Sequence, residues 1–185
     1  MLSDGGGIIS ESGGDYFSEL GGEIISESGG GLPRNLHTED ELAKPPMIST
    51  AKELYRAAVA MHEMTRLAAP HLKPRGDDQP AVYLGYYFNL GFAVELYLKA
   101  FLRDATGGDV LKYGHDLDAL LKAALAKGFA FQELAMADLV KIIGPEHRKL
   151  KFRYAEGATN FTYINQLDLV EVVLTACSDG MAHLR

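Results

Sequence analysis

Between Pro80 and Ala105 the chain carries aromatic and aliphatic side chains in almost every direction a helix can offer. Tyr83, Tyr86, Tyr87, Phe88, Phe92, Tyr97 and Phe101 point to more sides than one core face can use. A helix that is apolar nearly all round must be covered on several sides. The rest of the chain is therefore expected to fold around this segment. One residue breaks the pattern. On a helix, Glu95 has Gly91, Phe92, Leu98 and Lys99 as its neighbours three and four positions away. That face is largely apolar, and an unpaired carboxylate on it would be costly to bury. Lys99 is one available partner, in the favourable order of Glu before Lys; as an exposed pair it would contribute roughly 0.2–0.5 kcal/mol.

The flanking segments read as further helices. Ser49 or Thr50 can cap a helix that runs to about Ala69, before Pro70. Ala105-Thr106-Gly107-Gly108-Asp109 ends the central helix. A helix then opens near His115, with Asp116 and Asp118 in its first turn, where the helix dipole favours acids. Leu117, Leu120, Leu121, Ala124 and Leu125 form its apolar stripe, and Gly128 stops it. Another helix is predicted from Gln132 to Ile143, interrupted by Gly144-Pro145, with Pro145 opening a new helical turn. After a loop from Ala155 to Thr162, a last helix is expected from Tyr163 to about His183. The fold class is all-α, an antiparallel helical bundle. The connections are short, which favours antiparallel neighbours.

Residues 1–48 differ from the rest. Ile8-Ile9-Ser10-Glu11-Ser12-Gly13-Gly14 recurs as Ile24-Ile25-Ser26-Glu27-Ser28-Gly29-Gly30. Such a Gly-, Ser- and Glu-rich stretch buries too little apolar surface to offset chain entropy, so a flexible, low-complexity acidic extension is expected. It holds nine acids against Arg34 and Lys44, whereas residues 49–185 carry sixteen acids and sixteen Lys and Arg. The helical part is therefore not a nucleic-acid binder by net charge, and any such contact needs a local patch. The one local patch is His147-Arg148-Lys149-Leu150-Lys151-Phe152-Arg153-Tyr154. Arg148, Lys149 and Lys151 are candidate phosphate ligands there, with Phe152 or Tyr154 available to stack on a base.

The lone Cys177 sits in an apolar run and reads as a core thiol; a single cysteine permits no internal disulfide and fits a reducing cytosol. No apolar run is long enough for a membrane span and no signal peptide is evident, so a cytoplasmic protein without a membrane partner is expected. No pair of His has the helical spacing of metal ligands, and neither a metal nor a cofactor is predicted.

The order Glu95-x-x-x-Lys99, then His115-Asp116-Leu117 opening a helix, then Arg153-Tyr154, resembles the HEPN superfamily (higher eukaryotes and prokaryotes nucleotide-binding domains) over roughly Ser49 to Arg185. The resemblance implies an up-and-down helical bundle, frequent homodimerisation, and roles in RNA cleavage, nucleotide-linked regulation or defence. The many aromatics of the central helix also point to a homodimer. In the ribonuclease-active members the resemblance implies a late Arg followed four to six residues later by His. Arg153 is the positional candidate, yet no His stands among the eight residues after it. Arg66 and His71 have the spacing but lie early and span Pro70.

The expectation is a HEPN-like binding or regulatory module without intrinsic nuclease activity, its partner a nucleotide, an RNA or another protein. The alternative is an RNA-cleaving or nucleotide-processing enzyme with an atypical residue set. Glu95, Lys99, His115, Asp116, Arg153 and Tyr154 are expected to converge in one polar site, with Arg153 gripping the Glu95 carboxylate.

Overall fold

The computed structural model describes residues 49–72, 80–153 and 164–185, with backbone alone at positions 80 and 81. The expected tail over residues 1–48 and the expected loop over 155–162 lie outside them. Five α-helices are present among the described residues, and no strand. They form the all-α bundle that the sequence predicts. The helices are α1 (Ala51–Ala68), α2 (Pro80–Thr106), α3 (Leu117–Leu125), α4 (Glu133–Arg148) and α5 (Leu167–Gly180).

Thr50 is the residue that caps α1. Its hydroxyl accepts the Glu53 N–H at 3.2 Å, and the Glu53 carboxylate takes the Thr50 N–H at 2.7 Å. The two orphan donors of the helix start are thus satisfied reciprocally. At 27 residues α2 is the longest helix described. It ends where Gly107 adopts φ +64°, a left-handed turn that returns its N–H to the Arg103 carbonyl at 2.8 Å. Asp116 caps α3 by accepting the Ala119 N–H at 3.1 Å.

Two boundaries differ from the sequence reading. α4 does not stop at Ile143 but continues through Gly144-Pro145 to Arg148. A proline inside a helix removes one backbone bond and crowds the carbonyl four residues back. The tertiary gain here offsets that cost, because the extra turn carries His147 into the core, 1% exposed. α5 begins at Leu167 rather than Tyr163. Ile164 is not helical; its N–H bonds to the Tyr87 hydroxyl at 2.9 Å, a tertiary contact that competes with helix initiation.

α2 contacts each of the other four helices and is the axis of the bundle. Tyr86, Tyr87, Leu90, Val94, Tyr97 and Leu98 are buried along it. Tyr83, Phe88, Phe92 and Phe101 lie half-buried against the same core. Several of these aromatics find partners within the chain: Phe101 meets Phe129 and Phe131 edge-on, and Tyr97 meets Tyr55 and His62. No helix among the described residues is long and apolar enough to cross a membrane. Leu98 has no exposed surface. Leu98→Ala should lower unfolding free energy by about 2–5 kcal/mol in urea denaturation. A loss well under 1 kcal/mol would show that α2 is not the axis of a close-packed core.

Candidate functional site

Gly91, Glu95 and Lys99 follow one another at four-residue intervals on a single face of α2. Lys99 Nζ donates to Glu95 Oε1 at 2.6 Å, and both side chains are buried, 8% and 3% exposed. The second oxygen, Oε2, accepts two imidazoles. His115, in the turn just before α3, approaches through Nδ1 at 2.8 Å; His147, in the last turn of α4, approaches through Nε2 at 2.7 Å. An ionised carboxylate can only accept, so each of these ring nitrogens carries a proton. One carboxylate thereby ties together α2, the start of α3 and the end of α4.

The face is shaped for this contact. A Cβ on Gly91 would lie 2.3 Å from His147 Nδ1. Only glycine leaves room for the ring to lie against the helix backbone. The edge of Phe92 meets both imidazoles, with centroids 5.8 Å from His115 and 5.0 Å from His147. His147 is enclosed at 2% side-chain exposure, while His115 is 38% exposed and is the one clasp residue open to solvent. Burial alone would push the Glu95 carboxyl up; the bonds from His147, Lys99 and His115 outweigh it and hold the group down at about 2.

Glu95 Oε2, His115 Nδ1 and His147 Nε2 lie within 4.8 Å of one another and are donor types a transition metal accepts. Lys99 decides against that use. It already neutralises the carboxylate, so a divalent ion would bring an uncompensated buried positive charge.

Outside the clasp runs a parallel pair. The residue after His115 is Asp116 and the residue after His147 is Arg148, and these two meet at 3.1 Å nearer the surface. The inner histidines and the outer ion pair fix α3 against α4 twice over.

The structure brings together Glu95, Lys99 and His115, with Asp116 in the adjoining layer. Arg153 does not take its expected place: the carboxylate's donors are Lys99, His115 and His147, and Arg153 is exposed in the turn that follows α4. Tyr154 lies outside the described residues. The basic run is divided by the fold. His147 and Phe152 point inward, Phe152 stacking on Tyr87 at 5.4 Å, which removes it as a platform for a base. Lys151 pairs with Glu146 at 2.6 Å, Arg148 with Asp116, and Lys149 caps the helix end in the open.

The Arg66–His71 spacing produces no joint site. Arg66 is held by two bonds to Glu63, and His71 is exposed in a short 3-10 turn. Cys177 is a buried thiol that burial pushes up to about 12, as a core residue should be.

Sequence reasoning missed His147 as a clasp residue. Met136, Val140, Ile143 and His147 continue one helical spacing, but only if the helix is carried through Pro145. A second polar chain also went unread: His62 bridges the Tyr97 hydroxyl and Glu171, 3.2 Å to each. No family model, curated protein or solved structure matches the chain.

Two outcomes are expected of the clasp. Glu95→Ala leaves Lys99 and His147 buried without an acceptor and should cost about 3–5 kcal/mol by chemical denaturation; a variant that unfolds like the parent would contradict a buried clasp. The depressed Glu95 carboxyl also makes stability pH-dependent. Its contribution is fully present above about pH 4.5 and is lost as pH falls through about 2. Acid titration of folding followed by far-ultraviolet circular dichroism should show this loss, and Glu95→Gln should flatten the curve over the same window.

Proposed function

We propose that this chain is a HEPN-like module that binds a phosphate-bearing partner, a nucleotide or an RNA, and holds it rather than cleaving it. One observation carries the reading. Two of the three segments that carry the resemblance, Glu95-x-x-x-Lys99 and His115-Asp116-Leu117, meet at a single point, and the end of α4 joins them there with His147 and Arg148 in place of Arg153.

The chemistry favours holding. Both oxygens of Glu95 are taken by donors, and His147 is enclosed. Only His115 reaches solvent, so a bound ester would meet one imidazole and no second group placed to protonate the leaving oxygen. Arg148, held to the Asp116 that follows His115, and the next residue, Lys149, offer cations at the surface, where phosphate contacts can be made without a large net charge.

One observation favours the alternative, a ribonuclease or nucleotide-processing enzyme. With Nδ1 directed at a carboxylate, the His115 ring is oriented as a general base is. For this alternative, His115 stands where the sequence offers no His after Arg153. Homodimerisation rests on the resemblance alone.

Fluorescence anisotropy with a short labelled oligoribonucleotide tests the binding reading. Saturable binding should weaken in Arg148→Ala/Lys149→Ala, evenly across sequences, and the salt slope should fall by about 1 for each phosphate contact removed. Absence of binding at low salt would defeat the proposal. Incubating the same oligonucleotide with the parent, His115→Ala and Arg153→Ala separates the readings: cleavage lost on removing His115 would move the chain to the enzyme class.

A further inference from the structure

Where α1 packs against the end of α5, a hollow of about 350 Å³ is lined by Tyr55, Arg56, Val59, Ser178 and Arg185. These residues come from α1, α5 and the turn that follows it, none of which supplies a clasp residue. Tyr55 is the fixed point of the hollow. It is 2% exposed, and its ring meets Tyr97 edge-on at 6.2 Å. Tyr97 is in turn bonded to His62, and His62 to Glu171. The buried polar chain therefore ends against the back of the hollow.

The donors around Tyr55 stand at defined distances. Its hydroxyl gives its one proton to the Ser178 carbonyl at 3.1 Å and accepts from Arg185 Nε at 3.4 Å. Ser178 Oγ lies 3.3 Å from the same phenolic oxygen. Since the tyrosine proton is already placed on the carbonyl, the serine hydroxyl keeps its own proton to donate. Arg185 is anchored beside them, because its N–H bonds the Ala182 carbonyl at 3.2 Å and the preceding Leu184 is buried.

Charge decides what such a hollow can take. Arg185 meets Asp179 at 3.5 Å, with side chains 65% and 69% exposed, a weak pair that still offsets the guanidinium charge. Arg56 has no hydrogen-bond or ion-pair partner among the described residues. The nearby acid, Glu53, is taken up in the Thr50 cap. The lining thus carries one uncompensated positive charge, that of Arg56. Ser178 also lies in the last turn of α5, where the negative end of the helix dipole works against a second negative charge on a ligand. Val59, 36% exposed, gives the lining its aliphatic part.

We infer that this hollow binds a small monocarboxylate with a short aliphatic chain. Guanidinium and serine donors answer the two carboxylate oxygens, and the aliphatic chain covers Val59. The volume suits a ligand of this size, at the lower end of the range of about 300–1,000 Å³ for small-molecule sites. A dianion such as sulfate brings one negative charge more than the lining offsets and leaves Val59 uncovered. A neutral alcohol of the same length leaves Arg56 unanswered. The site stands apart from the HEPN-like reading, and neither depends on the other.

Proton–nitrogen correlation NMR of the whole chain, titrated with sodium butyrate at constant ionic strength, provides the test. Butyrate should shift the Arg56 and Arg185 Nε–H signals and the Ser178 amide along one saturable curve. Acetate should bind more weakly than butyrate, and sulfate and 1-butanol more weakly still. Arg56→Gln should weaken butyrate about tenfold, the loss of its charge-assisted partner. Val59→Ser should narrow the gap between butyrate and acetate. Both positions are exposed, so neither substitution should move the melting temperature.

Shifts that rise linearly without saturating overturn the assignment. So does saturable binding that ignores Arg56→Gln, or that shifts Arg148 and Lys149 instead of the hollow. Sulfate or 1-butanol binding as tightly as butyrate overturns it too, since the first would mark a general anion site and the second a merely apolar one.

Discussion

Everything near the candidate site depends on one carboxylate that is buried and ionised. Glu95 is placed near the middle of the longest helix described, among buried apolar side chains, where an unpaired charge would be costly. Its three donors come from three parts of the sequence: Lys99 on the same helix, His115 twenty residues on, and His147 from α4. Lys99 is the local term and the histidines are the tertiary terms. Since Lys99 cancels the charge, the histidines are not needed for neutrality. Their role is to tie α3 and α4 to α2 at a defined distance, and the enclosed His147 bond is strengthened by its dry surroundings.

That constraint explains features that look anomalous taken singly. A glycine in the middle of a long helix costs roughly 0.5–1 kcal/mol relative to alanine, and a proline inside a helix costs more. Gly91 makes the space for His147, and the turn around Pro145 is what carries His147 to that space. Both local penalties serve the same contact. The helix is thus locally unfavourable at two positions so that the bundle is favourable at one, the pattern expected where tertiary packing overrides propensity.

The same residues show how far the sequence could be read. The apolar surround of Glu95 made a partner obligatory, and the four-residue spacing made Lys99 one of them. His115 followed from the short turn between α2 and α3, which limits how far the start of α3 can stray. The five-helix, all-α character was legible because each stripe is strongly periodic and the breaks hold Gly or Pro. His147 was hidden by a single local rule, that proline ends a helix. Once α4 was cut at Ile143, His147 lost its register with Met136, Val140 and Ile143 and joined the basic run instead. Arg153 was then the natural partner for Glu95, since guanidinium matches a carboxylate well. The aromatics of α2 are read differently once the fold is known. Counting directions on a helical wheel does not reveal how many neighbours a central helix has, and four neighbours cover Tyr86, Tyr87 and Tyr97 and part of the rest.

The clasp also bears on what kind of site this can be. A carboxylate bonded to two imidazoles is the raw material of both metal binding and acid–base catalysis. Which of these a protein can use is decided by charge and access. Lys99 supplies the positive charge that a metal would otherwise bring, and it does so from within the helix, where it cannot leave without exposing a buried carboxylate. Access then narrows the rest. With His147 shut in against Gly91, only the outer edge of His115 can meet a ligand. The polar groups that face outward in number are those one residue further along each chain segment, Asp116 and Arg148, together with the lysines of α4. The interior cluster is therefore best understood as the frame, and the surface layer built on it as the part open to solvent. A frame of this kind fixes the spacing of the surface groups it carries, and groups already held in place lose little freedom when they are contacted.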